Sequence, residues 1–216
     1  RGLDVKTAEE FGKLDRDAID RVKDEAWPDA SNADELHDAL LVMGAVPSAE
    51  VGTRNALKDS LPVAEWQGWF EQLVGAGRAT KMDSRLWVAA ERVPMVAAAF
   101  PGAVCEPAAL VPERERAKPW TRADAIRELV RGRLEVVGPT TAAEIAAALG
   151  LPPGDVDFAL AALEHEGFAL RGRFSPGVQG TEWCERRLLA RIHRYTLDRL
   201  RREIEPVAAA VFLRFL

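Results

Sequence analysis

Apolar positions along this chain recur mostly at the 3.6-residue spacing of helices, not at the alternation of strands. In the first half, "DRDAIDRVKDEAW" (15–27) and "NADELHDALLVMG" (32–44) each carry one apolar stripe. Asn32 is placed to cap the second of these helices and Gly44 to stop it. "PVAEWQGWFEQLVGAG" (62–77) predicts a third helix, opened by Pro62 and closed by glycines. The period then changes. "RATKM" and "LWVAA" are short strand-like runs parted by Asp83 and Ser84, which signals a hairpin.

The same order returns in the second half. "TRADAIRELVRGRLEVVG" (121–138) is amphipathic, and "TTAAEIAAALG" (140–150) opens with the capping box Thr141-x-x-Glu144 and stops at Gly150. "PPGDVDFALAALEHEG" (152–167) is followed by "FALRGRF", a strand and a turn. Three helices and a β hairpin make the winged-helix order, a variant of helix-turn-helix. Placing Gly77 on Gly167 aligns the halves: an apolar helix end, a glycine, then a strand bearing cations. Residues 94–119 hold five of the thirteen prolines and little periodicity.

The expected fold is therefore mainly α with small β wings, as tandem winged-helix domains followed by a long C-terminal helix. Residues 1–100 form a helical segment and the first module, 101–120 a proline-rich linker, and 121–180 the second module. Residues 181–216 supply an arginine-rich long helix, read as starting at Glu182, and a truncated apolar one. Leu129, Ile145, Leu149, Val156, Leu160 and Leu163 are the inward positions of the second module.

Composition adds little to this but excludes much. At 48% hydrophobic and 29% charged, the 216 residues match a soluble globular chain large enough for a buried core. No apolar run reaches the length of a membrane span. Cys105 and Cys184 stand alone, so neither a disulfide framework nor a paired-cysteine metal site is present, and a cytoplasmic setting is expected. The chain starts without methionine and stops inside "PVAAAVFLRFL", so it reads as a piece of a larger protein. Val207, Val211, Phe212 and Phe215 would form an apolar strip against a neighbouring module or a second copy of the chain.

Charge locates a partner. The net charge is −5, yet residues 1–60 carry −6 while 184–205 carry seven arginines and a balance of +3. The third helices are poor duplex readers: Asp157 and Glu164 face outward in one, Glu65 and Glu71 in the other. Phosphate neutralisation supplies most nonspecific DNA affinity, so contact is expected from the wings instead. These offer Arg78, Lys81 and Arg85 in the first module, and Arg171 and Arg173 in the second. On the long helix, Asp198 can pair with Arg202 and Glu205 with Arg201, which leaves Arg187, Arg191 and Arg194. Arg199 and Glu203 fall on the apolar side as an ion pair or interface, and His193 beside them as a core histidine. The competing view is that all these cations are simply solvated. No GxxxxGK[ST] loop, HExxH motif or Ser/His/Asp grouping occurs, so no catalytic residue, metal ligand or cofactor is assigned.

The segments "EWCERRLLARIHRYTLDRLRREIEPV", "NADELHDALL" and "RELVRGRLEVVGPTTAAEIAAALGL" resemble the large-helicase-related (Lhr) family of bacterial ATP-dependent DNA helicases. The likeness runs through the chain in the same order, in the region C-terminal to the motor core. It implies a role in DNA repair, as part of an accessory winged-helix array. ATP and Mg²⁺ would belong to the motor domains of the parent protein. The implied function is a non-catalytic DNA-engaging or assembly module in the cytoplasm, associated with the nucleoid. A glycosylase-like array and a purely structural protein–protein module are the alternatives. DNA bound by its backbone, other modules of the parent and a homo-oligomer are the implied partners, and no membrane.

Overall fold

Caps and glycines decide where the helical periodicity is cut. The computed structural model describes residues 14–51 and 63–203. Helix α1 (Arg16–Ala26) starts where the Asp15 carboxylate accepts from the Ala18 amide. Asn32 caps α2 (Ala33–Met43) by accepting from the Glu35 amide at 2.9 Å, and Gly44 ends it at φ +74°. Strand β1 (Val46–Pro47) follows, then α3 (Val63–Gly75) and the hairpin of β2 (Ala79–Met82) and β3 (Leu86–Ala89). Asp83 and Ser84 both have positive φ, and the Arg85 amide donates back to the Met82 carbonyl. That geometry is the tight turn a twisted hairpin prefers.

The stretch that lacked a clear period holds α4 (Val93–Ala99), β4 (Cys105–Glu106) and α5 (Glu113–Arg116). Beyond it come α6 (Arg122–Val137), β5 (Thr140–Thr141), α7 (Ala142–Leu149), α8 (Pro153–His165), β6 (Ala169–Gly172), β7 (Glu182–Glu185) and α9 (Arg186–Glu203). The expected capping box is present: Thr141 accepts from the Glu144 amide, and Glu144 accepts from the Thr141 amide at 2.7 Å. The chain is thus mainly helical with small antiparallel sheets.

The two sheets repeat one pattern. Strand order is β1-β3-β2-β4 in one and β5-β7-β6 in the other. In the first, Trp87 of β3 sits between Val46 and Lys81; in the second, Trp183 of β7 sits between Thr140 and Arg171. The turns before them match as well. The Arg78 amide donates to the Leu73 carbonyl, and the Phe168 amide to that of Leu163. Gly77 and Gly167 take φ +71° and +72° at the junction, where a side chain would be strained.

Two expectations fail in an instructive way. "EWCE" is not the first turn of the long helix but the central strand of its sheet, paired with β5 on one side and β6 on the other. The ladder satisfies its backbone on both edges, Trp183 and Cys184 are buried, and Glu182 accepts from the Phe174 and Ser175 amides of the wing. Glu185 then accepts from the Leu188 amide and starts α9 four residues later than expected. His193 is exposed and not part of the core. The apolar strip expected at Val207–Phe215 lies outside the described residues.

One hydrophobic cluster joins the halves. It contains Met82, Leu86, Val88 and Met95 together with all six core positions expected of the second half, each at most 1% exposed. A second cluster packs α2, α3 and β3 around Phe70, whose ring stacks on Trp87 at 4.0 Å. A third, with Ile19, Val22, Cys184, Leu188 and Ile192, fixes α9 against α1. Helices α2 and α6 cross at Gly132, where a Cβ would stand 2.5 Å from the Val42 carbonyl oxygen. Beside this crossing, Arg133 donates both terminal nitrogens to Glu50, at 2.6 and 2.7 Å, across the two halves.

Candidate nucleic-acid interface

The eight expected contact residues divide by what their charge already meets. Arg78 bonds Asp34 of α2 at 2.6 Å. Lys81 stands 5.7 Å from the Phe70 ring centre. Arg85, at the tip of the first hairpin, does not point into solvent alone: its Nη2 donates to the Leu149 carbonyl at 3.0 Å. It thereby caps the C-terminus of α7, where exposed carbonyls favour a cation. The first hairpin therefore holds the halves together, and its cations are largely occupied.

The second hairpin and α9 differ. Arg171 lies 3.5 Å from Glu164 and over the Trp183 ring. Arg191 is paired with Glu25 of α1, which also accepts from the Tyr195 hydroxyl, so this arginine is engaged. Arg199 joins Asp15 and Asp17 of α1, whereas the sequence had placed Glu203 opposite it. Arg201 pairs with Asp198. Among the described residues, none hydrogen-bonds or ion-pairs with Arg173, Arg187 or Arg194; Arg194 lies over its neighbour Tyr195, 5.3 Å from the ring centre. With Lys81, which has only its ring contact, these are the expected contact residues whose charge meets no hydrogen-bond or ion-pair partner among the described residues.

The structure has a feature that sequence reasoning passed over. A cleft of about 220 Å³ opens at the α2–α6 crossing, lined by Val42, Arg92, Met95, Glu128, Arg131 and Glu135. Partial burial and the nearby Glu185 raise the Glu135 carboxyl above the ordinary glutamate range, while Arg131 and Arg187 pull the other way. Glu128, Arg131, Gly132 and Glu135 lie three or four residues apart on one helix face, so the sequence spacing held this signal. Several neighbouring carboxylates are engaged: Glu50 by Arg133, Glu128 and Glu166 by Arg131, and Glu144 by its cap. No group of metal-binding side chains occurs among the described residues, and none of their helices is long and apolar enough to cross a membrane.

Burial disfavours the thiolate form of both cysteines. Burial pushes the Cys184 thiol up to about 12, aided by Glu185, and burial raises that of Cys105.

Comparison with known proteins links the chain to DNA-processing proteins. The chain is 26% identical over 192 residues to "Lhr helicase/ probable uracil glycosylase" of Mycolicibacterium smegmatis. That match takes in 87% of this chain but only 12% of that protein, and it links the chain to Lhr-related DNA-processing proteins. A family model described as "DNA glycosylase AlkZ-like" matches residues 7–203. The chain belongs to the AlkZ-like family of DNA glycosylases.

Proposed function

We propose that this chain is a pair of tandem winged helices that grips DNA by its phosphates within a larger Lhr-type repair protein. The observation that carries this reading is that Arg173, Arg187 and Arg194, on the second hairpin and α9 of an acidic chain, hydrogen-bond or ion-pair with none of the described residues. Support for the winged-helix assignment comes from the repeated strand order and register around Trp87 and Trp183. Grip of this kind is sequence-independent, because the exposed faces of α3 and α8 carry Glu71, Asp157 and Glu164 and no arginine. The accessory-array position, the nucleoid setting in the cytoplasm, contact with other modules, and ATP and Mg²⁺ use by a separate motor are parts of the same proposal. Homo-oligomer formation is a further part that sedimentation would check.

Family membership raises base removal above the purely non-catalytic role as the purpose of that grip. The test has two readouts on the same chain. Nonspecific duplex affinity should fall with salt, and a uracil-containing duplex should be scored for base release. Binding without release assigns this chain the grip alone. Absence of salt-dependent binding rejects the proposal and favours the second reading, a protein–protein module. That second reading rests on Phe158, 70% exposed beside Asp157 on α8.

A further inference from the structure

We propose that the groove between α1, α2 and α6 receives the outer face of α9 from a second copy of this chain, in a two-fold dimer that sets Arg194 against Asp38 and Leu197 against Val42. The dimer covers Arg187 and Arg194, so it competes with duplex for them. That consequence rests on the DNA-gripping reading, whereas the docking itself does not.

The groove is apolar below and acidic above. Its space of about 370 Å³ is bounded by the buried Ala30, Ala39 and Val136, with the exposed Asp29, Asp38 and Glu135 around them. These three carboxylates hydrogen-bond or ion-pair with none of the described residues, and no cation lines the groove among the described residues. On α2 the exposed Glu35, Asp38 and Val42 fall three and four residues apart, hence on one side of the helix. Val42 is 49% exposed although Leu40 and Met43 beside it are buried, so an apolar contact is left open among carboxylates. On the far side of Val42, Arg131 is already neutralised by Glu128 and Glu166. Such a surface repels a duplex and attracts a cationic face that brings apolar side chains of its own.

Helix α9 presents that complement. Arg187, Ala190, Arg194, Leu197 and Arg201 alternate three and four residues apart, the spacing with which one helix lies along another, and all five are exposed. Leu197, between two of these arginines, is 38% exposed. Arg187 and Arg194 hydrogen-bond or ion-pair with none of the described residues, so each gains a carboxylate by docking, while Leu197 gains Val42. The two strips adjoin on the same molecule. Glu135 lines the groove, and Arg187, in the first turn of α9, is near enough to act on its carboxyl electrostatically. Adjoining strips of opposite sign suit a two-fold dimer, because a half-turn about their border lays each strip on its counterpart in the other copy.

Sedimentation velocity at low salt should show the parent chain passing from monomer to dimer as its concentration rises, and added salt should weaken the dimer. Like charges set opposite each other are strongly unfavourable, so Asp38→Arg alone and Arg194→Glu alone should each weaken it by at least about tenfold. Mixing the two variants, or making both changes in one chain, should restore the dimer, which also shows that the variants fold. Duplex added to the parent dimer should yield DNA-bound monomer. A parent that stays monomeric, a dimer that neither change weakens, or variants that mixing does not rescue overturns the docking. A dimer that takes up duplex without dissociating overturns it too. A parent that dimerises as expected but binds no DNA in either state upholds the docking and rejects the grip.

Discussion

The two hairpins share a register and differ in what their cations do. In the first, Arg78 is tied to Asp34 within its own half, and Arg85 reaches across to the end of α7 in the other half. In the second, Arg171 lies beside Glu164, while Arg173 and the following arginines Arg187 and Arg194 hydrogen-bond or ion-pair with none of the described residues. On the proposed reading, a repeated scaffold serves assembly in one copy and leaves the other to face a polyanion. Local sequence is nearly blind to this difference, since both wings read as a strand with arginines near a turn.

The largest effect should come from unfastening the halves. Arg133 is 7% exposed in its side chain and bonded twice to Glu50. Removing one partner of a buried pair costs about 3–5 kcal/mol, so Glu50→Ala should shift the denaturant midpoint sharply. A change under about 1 kcal/mol would mean that this ion pair contributes little to joining the halves. Arg85→Ala should be milder, about 1 kcal/mol for one hydrogen bond, and should leave the DNA salt slope unchanged. A reduced slope in that variant would move the first hairpin into the DNA contact.

Much of the fold was legible because it rests on local devices. Asn32, Gly44, Thr141 with Glu144, and Gly150 set helix ends where the sequence placed them, and period alone identified Val156, Leu160 and Leu163 as core. What was hidden depends on partners far away in the chain. "EWCE" has helical neighbours, and only pairing with β5 and β6 makes it a strand. Arg191 looked available until Glu25, 166 residues away, came beside it. The cleft at Glu135 needs α2 to cross α6 at Gly132, which no single helix reveals.

Smaller effects sharpen the same contrast. Thr141→Ala should cost about 1 kcal/mol by removing the cap, seen in thermal melts. Hydrogen bonds from Ser31 hold the Glu35 carboxyl below its ordinary range; for Glu144 burial opposes, but bonds from Thr141 and Thr140 prevail. A depressed folded-state value stabilises above the unfolded pKa, and that stability disappears as pH falls through the folded one. Both halves should therefore weaken on acidification below about pH 4, and Glu144→Gln should flatten the contribution of the second half only. Smallest of all, Cys184 should resist iodoacetamide at about pH 8 in the folded chain, because its buried thiol stays protonated. Rapid labelling there would show that the α1–α9 cluster opens.

The central claim is that the second hairpin and α9, not the first hairpin, meet DNA. Duplex affinity should be measured from low to moderate salt for the parent, for Arg173→Ala/Arg187→Ala/Arg194→Ala, and for Arg78→Ala/Arg85→Ala. The log–log slope should shrink by up to about 0.9 for each phosphate that is no longer neutralised, hence clearly in the triple variant and not at all in the double one. Equal slopes for parent and triple variant, or a weakening confined to the double variant, would contradict the account.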